Sequence, residues 1–329
     1  MQQTLKEAHL IRRHKTGDAV SSSPTVADGV VFVGSEDGSL LALDAELGEQ
    51  RWSFDSGDKV YSSPRVTEGV VYVGSWNGYV YALAASSGEV VWRSRLGEGV
   101  FSSPAVVNGI VYVGSTDHHV YALEAATGEI VWRSGTEDWI MSSPRVVDGV
   151  VYVGSNDGHL YALDAGTGTI MWRAKADNVV FSSPAVGNGY VYFGSWDGHV
   201  YAVDANTGVE RWRYRTNDWV VSSPAVAEGV VYVGSRDGHL YALDAEVGSL
   251  RWRLPTGGRV ESSPAIAEGV VYFGSFDHNL YAASAETGEL LWQYATEGPV
   301  SSSPTVADGV VYVGSTDGSL YAIRLPESK

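Results

Sequence analysis

The chain has 329 residues, no cysteine and a formal net charge of -17 at pH 7. That charge excludes nucleic acid and anionic membrane surfaces as favoured partners, because both repel an acidic surface. The longest apolar runs are single strands, so no transmembrane segment is expected, and the missing cysteines fit periplasm, cell surface or cytosol alike. The N-terminal stretch MQQTLKEAHLIRRHKTG has neither an apolar leader core nor a lipidation cysteine. The expected location is periplasmic or cell-surface if a signal was removed, and otherwise cytoplasmic.

Ser22-Ser23-Pro24 opens a forty-residue unit, which recurs eight times up to Ser302-Ser303-Pro304. Such self-similarity marks one supersecondary unit that cannot bury its own apolar face and must stack on copies of itself. The copy from Ser102 predicts four short strands. Pro104 to Val107 is the first, followed by a turn at Asn108-Gly109 and a second, two-sided apolar strand from Ile110 to Ser115. A turn around Asp117, a third strand from Val120 to Leu123, a turn at Thr127-Gly128 and a fourth strand from Ile130 to Arg133 complete the unit. Nothing has helical period or length. Four-stranded units in series predict an all-β, eight-bladed β-propeller, read as one domain over 1–329. The eighth unit stops after its third strand. Leu10-Ile11-Arg12-Arg13 aligns forty residues ahead with Gln50-Arg51-Trp52-Ser53, so the N-terminal strand is expected to complete the last blade and close the ring.

The stretch Ala122-Leu123-Glu124-Ala125-Ala126-Thr127-Gly128-Glu129-Ile130-Val131-Trp132 resembles the tryptophan-docking repeat of the pyrroloquinoline-quinone (PQQ) propeller family. It recurs as Ala162 to Trp172 and Ala202 to Trp212, with looser matches ending at Trp52, Trp92, Trp252 and Trp292. The resemblance implies that each Trp packs over the Ala and the Gly turn and ties neighbouring blades together. A large flat ring over a residue without a side chain suits that role, so these tryptophans are read as core. Arg12 stands at the Trp position of the closing strand, and no docking sequence follows Ala322. The seam between the last and first blades is therefore expected to be the weakest. The family also includes dehydrogenases that bind the quinone with calcium, many of them stacking it on a disulfide between adjacent cysteines. This chain has no cysteine and no insertions beyond the ring, so the likeness is nearer to non-enzymatic members, such as the propeller lipoprotein of the outer-membrane β-barrel assembly machinery.

The copies agree on one face and disagree on the other. Turns of the form Asp28-Gly29, Glu68-Gly69 and Asn108-Gly109 are monotonous. The opposite face holds the turn between second and third strands, with Glu36, Trp76, Thr116, Asn156, Trp196, Arg236, Phe276 and Thr316 at its first position. Its blade-entry loops carry Ala19, Lys59, Gly99, Trp139, Val179, Trp219, Arg259 and Pro299. Just before each Ser-Ser-Pro stand Ser21, Tyr61, Phe101, Met141, Phe181, Val221, Glu261 and Ser301. Drift on exposed loops favours small polar residues, whereas aromatic and Arg side chains gathered on one loop-built face suit binding.

His119, His159, His199 and His239 recur at the start of the third strand. Strand spacing keeps them too far apart to converge on one metal, so they are expected to hydrogen-bond the turn. His118 and His278 replace the Gly of Asp-Gly turns and are expected at positive φ. The Ser-Ser-Pro ring is read as structural, with Pro in the innermost strand and some hydroxyls lining the channel mouth.

The sequence thus points to a monomeric, non-enzymatic binding or scaffold propeller with a protein or small-molecule ligand on the variable face. The candidate contacts are Trp76, Trp196, Phe276, Arg236, Trp139, Trp219, Lys59 and Arg259. The aromatics would be anchors and the cations would hold polar or anionic groups. No catalytic residue and no cofactor is expected. The alternatives are a propeller binding PQQ with calcium, including a minimal quinone-dependent dehydrogenase, and an engineered or recently amplified ring with no evolved partner.

Overall fold

The computed structural model describes residues 8–46 and 48–325. Residues 1–7, 47 and 326–329 lie outside, and with them the ends of the domain read over 1–329 and the first part of the stretch read for a leader. Eight four-stranded antiparallel sheets stand in a ring. Blade 1 takes Thr25–Ala27, Val30–Gly34, Ser39–Asp44 and Gln50–Asp55, in that order from the inside outward. Blades 2 to 7 repeat it. Blade 8 takes Thr305–Ala307, Val310–Ser315 and Ser319–Arg324, and its outer strand is His9–Lys15 from the other end of the chain. The chain is an all-β, eight-bladed propeller closed by its N-terminal strand, as its repeats predict. No helix occurs among the described residues, hence none long and apolar enough to cross a membrane.

Strand limits move by a residue or two. The innermost strand is Ala105–Val107, with Pro104 just before it rather than within it, and the third and fourth strands run His119–Glu124 and Ile130–Gly135. The second strand is apolar on both faces because a neighbouring blade covers each side; Val71 and Val73 are fully buried. On the fourth strand Val90–Arg95 only Trp92 is buried. Ala82 opposes Trp92 while Leu83 opposes Val90, so Val91 is the extra residue of a β-bulge that aims the indole at the next blade.

That aim makes the blade-to-blade lock. Trp92 lies so close over Gly128 that a Cβ there would stand 2.5 Å from the ring. Its Nε1–H donates to the Ala125 carbonyl at 2.8 Å, which also accepts from Tyr72 Oη at 3.1 Å. Trp52, Trp132, Trp172, Trp212 and Trp252 repeat the lock on the blade that follows each. The role implied by the resemblance holds at these six seams. At the closing seam Arg12 occupies the same bulge opposite Ala322, and its stem rests on Gly48 as the indoles rest on theirs. No docking sequence follows Ala322, yet the geometry of docking survives, with an alkyl stem in place of a ring.

On the monotonous face the hairpins turn through two left-handed residues, as at Asp28 (φ 49°) and Gly29 (φ 70°), the turn whose twist suits a two-residue hairpin. His118 and His278 adopt φ of 72° and 71°, as expected from the glycines they replace.

Candidate functional site

The serine triplets build the floor of a central funnel. The first serine is buried and accepts from the second strand, as Ser22 Oγ does from Gly34 N–H at 3.0 Å. The second serine links blades. Ser23 N–H donates to Ser63 Oγ at 2.9 Å, Ser63 to Ser103, and the chain of bonds passes every blade until Ser303 N–H closes it on Ser23 Oγ at 3.1 Å. These eight hydroxyls use one lone pair each, and none donates a hydrogen bond of its own among the described residues. They line the funnel, leaving a ring of protons for water or a polar ligand.

Above the floor, each turn between second and third strands is clasped to the blade-entry loop by one backbone bond. Trp76 N–H bonds Lys59 O at 2.9 Å, Trp196 bonds Val179 at 3.0 Å, Arg236 bonds Trp219 at 2.9 Å and Phe276 bonds Arg259 at 2.9 Å. The clasp puts the two divergent loops side by side, next to the residue that precedes each Ser-Ser-Pro. The three variable positions therefore form one rim.

The funnel holds about 400 Å³ and its walls differ, a size within the range of small-molecule sites, roughly 300–1,000 Å³. On one side the rings form a chain. Tyr61 stacks on Phe101 at 5.0 Å, Phe101 meets Phe181 edge-on at 5.5 Å, and Phe181 stacks on Trp196 at 6.1 Å. Trp196 in turn lies flat on Trp219, centroids 4.4 Å apart and planes 4° from parallel. On the other side stand Arg236, Glu261, Ser301, Ser21 and Thr316. Arg236 Nε faces Glu261 Oε1 at 2.8 Å while its guanidinium covers the Trp219 ring at 4.6 Å. Four polar atoms of the lining are buried without a hydrogen-bond partner among the described residues: Arg236 Nε and Glu261 Oε1, which face each other as an ion pair, and Trp196 Nε1 and Ser301 Oγ, which face no partner at all. Each such orphan costs about 1–3 kcal/mol unless water or a ligand meets it.

Of the residues singled out from the sequence, Trp196, Arg236 and Phe276 line the funnel. Trp219, Arg259, Trp76 and Lys59 stand behind the lining and pack on it. Trp219 supports Trp196, Arg259 covers Phe276 at 4.6 Å, and Trp76 meets Tyr61 edge-on at 6.0 Å. Lys59 bonds Glu36 at 2.9 Å and Tyr61 Oη at 3.2 Å. Those bonds raise the ammonium's pKa, while burial foremost raises that of Tyr61. Trp139 stands apart, 42% exposed and without a ring partner among the described residues. The cations already have carboxylates, with Glu36 serving Lys59 and Glu261 serving Arg236 and, at 3.7 Å, Arg259. They act here more as scaffolding for the rings than as free anion holders.

Tyr61, Phe101, Met141, Phe181 and Glu261, divergent among the copies but not among the candidate contacts, all line the funnel. Their signal was adjacency to the innermost strand, which borders the channel. The recurrent histidines serve their turns, with Nδ1 3.1 Å from Asp157 Oδ1 at His159 and 3.1 Å from Asp197 Oδ1 at His199. Burial pushes those two carboxyls up, but the hydroxyls of Tyr161 and Tyr201, the histidines and backbone N–H groups outweigh it and hold them below the usual range. Among the described residues, no group of three or more His, Asp or Glu is placed to hold a metal ion. Glu261, the one acidic side chain on the lining, is engaged by Arg236. That donor set does not fit calcium.

A family profile described as outer membrane protein assembly factor BamB matches residues 3–78, 76–183, 171–275 and 248–325. A search of curated proteins gave no match. Among solved structures, BamB from Moraxella catarrhalis superposes with a TM-score of 0.83 at 18% identity, over 97% of this chain and 100% of that one. The computationally designed Ika8 protein gives 0.86 at 18%, over 95% and 98%. Quinohemoprotein alcohol dehydrogenase from Comamonas testosteroni gives 0.81 at 18%, over 98% of this chain and 78% of that one. An assembly factor, a designed ring and an enzyme share this fold, so the fold alone does not choose among them. The profile, by contrast, tiles nearly the whole sequence, and the chain belongs to the PQQ-repeat family described as outer membrane protein assembly factor BamB.

Proposed function

We propose that this propeller is a non-enzymatic binding or scaffold module whose variable face receives a protein partner or ligand, with one projecting group entering the funnel. The carrying observation is the asymmetry of the funnel in an otherwise repetitive ring. Three blades contribute interlocked aromatic rings to one wall, while Trp196 Nε1 and Ser301 Oγ are left without partners among the described residues. Rings that brace one another are rigid, so little side-chain entropy is lost on binding. The match to an assembly-factor profile favours a protein partner.

The test is affinity capture with the wild-type protein and with Trp76→Ala/Trp196→Ala, after both give the same circular dichroism and cooperative melt. Partners held by wild type should be lost by the double variant, at least about tenfold weaker as expected for anchor residues. Equal retention refutes the site.

The second reading, quinone binding, draws on the dehydrogenase neighbour and on the flat Trp196–Trp219 stack against which a planar cofactor could lie. The poor fit to calcium weighs against it. A saturable rise in melting temperature with pyrroloquinoline quinone, lost in the double variant, would put it first.

A further inference from the structure

We propose that the closing seam carries a binding slot for an indole ring, either free or as the side chain of a Trp-bearing peptide. The six locked seams define what that position holds: a ring on a glycine turn, its N–H given to the carbonyl of an alanine 33 residues ahead. The same alanine carbonyl also takes the hydroxyl of a Tyr, at 3.0–3.1 Å in five blades.

At the closing seam everything but the ring is present. Gly48 supplies the bare turn, Arg12 sits at the bulge, and Tyr312 Oη reaches the Ala45 carbonyl, though at 3.3 Å. Among the described residues no indole N–H arrives, and Ala45 O accepts from Tyr312 alone. Where the ring would lie there is a cavity of about 210 Å³, with Val31, Leu43, Tyr312, Leu320 and Ala322 on its apolar side and Arg12, Arg13, His14 and Asp44 on its polar side. A cavity of about 150 Å³ with apolar walls already takes a benzene ring. The slot is therefore large enough, apolar on one side and polar on the other, and furnished with one carbonyl acceptor placed as the six internal indoles place theirs. Arg12 spoils none of this: its unbranched stem can leave Gly48, and a guanidinium above an indole face is attractive.

The chain itself supplies the control. Arg12→Trp fills the slot covalently, as Trp52 and its repeats do, whereas Arg12→Ala opens it. Melting temperature is measured with indole and separately with N-acetyl-tryptophanamide. Wild type should show a saturable rise with indole, Arg12→Ala a larger one, and Arg12→Trp should melt higher alone and bind at least about tenfold more weakly. Trp196→Ala, which alters the funnel only, should leave the response unchanged. A response to both compounds assigns the slot to a Trp side chain, and a response to indole alone assigns it to the free ring. Equal responses in wild type and Arg12→Trp would overturn the proposal, as would no response in wild type. Should Arg12→Ala fail to fold, fluorine NMR of 5-fluoroindole with wild type and Arg12→Trp decides the matter: a bound signal in the first alone supports the slot, and any other pattern overturns it.

Discussion

Six seams of the ring are locked by an indole lying on a glycine turn, whereas the closing seam is held by an arginine stem and the pairing of two distant strands. The backbone is nearly the same in both. His9–Lys15 pairs with Ser319–Arg324, and its register shifts beside Arg12 as the outer strands shift beside their tryptophans. What differs is filling: an indole covers its glycine turn at the six locked seams, and a space of about 210 Å³ stands beside Arg12. Arg13 compensates in polar currency. Its Nη2 bonds Glu297 at 2.6 Å, its Nε bonds Ser319 at 2.9 Å, and its guanidinium covers the Tyr321 ring at 5.4 Å. Ring closure here depends on hydrogen-bonded topology, while seam strength depends on what occupies one position per blade.

The largest effect should come from removing the topology. Deleting residues 1–15 strips blade 8 of its outer strand and leaves Ser319–Arg324 as an open edge. The truncated chain is expected to lose its cooperative melt, a loss comparable with the whole ~5–15 kcal/mol of a folded domain. A melt like that of the full chain would show that the ring does not need this strand.

Next comes the filling. Trp132→Ala empties a locked seam and strips Ala165 O of a donor, so it should cost about 3–5 kcal/mol. Arg12→Ala, at the matching position of the unfilled seam, should cost about 1 kcal/mol or less. Denaturant melts of the two variants side by side measure the difference, and equal costs would mean that the arginine stem seals its seam as well as a ring does.

The smallest effect is a pH slope from the same seam. Burial holds the His14 imidazole below its ordinary pKa of 6.5. The unfolded chain takes up a proton near that pH and the folded chain resists it, so stability should fall as pH drops from 6.5 toward the folded value. His14→Phe, which copies Phe54 at the matching place in blade 1, should flatten that slope. A separate acid limb should remain. Asp157, Asp197 and Asp277 have depressed folded values, and their contribution is lost only as pH falls below the ordinary Asp value of 3.8. An unchanged slope between neutral pH and pH 5 in His14→Phe would shift the cause to other groups.

The architecture was legible in the amino-acid sequence alone. A forty-residue period, the Ser-Ser-Pro triplets and an eighth unit lacking its last strand were enough to specify eight blades and the strand that closes them, because each repeat must bury its faces on the next. The sequence also told which face varies, since divergence among copies needs no coordinates. Which variable residues meet depends on the folded ring. Trp196, Arg236 and Phe276 reach the funnel while Trp76, Trp219, Lys59 and Arg259 stand behind it, and Tyr61, Phe101 and Phe181 form the wall. These contacts join side chains from different blades across the axis, as when Phe101 of blade 3 meets Phe181 of blade 5, and a one-dimensional period holds no record of that distance. The slot at Gly48 was hidden for the same reason. The substitution at Arg12 was legible, but the space it leaves exists only once the two ends of the chain have been brought together.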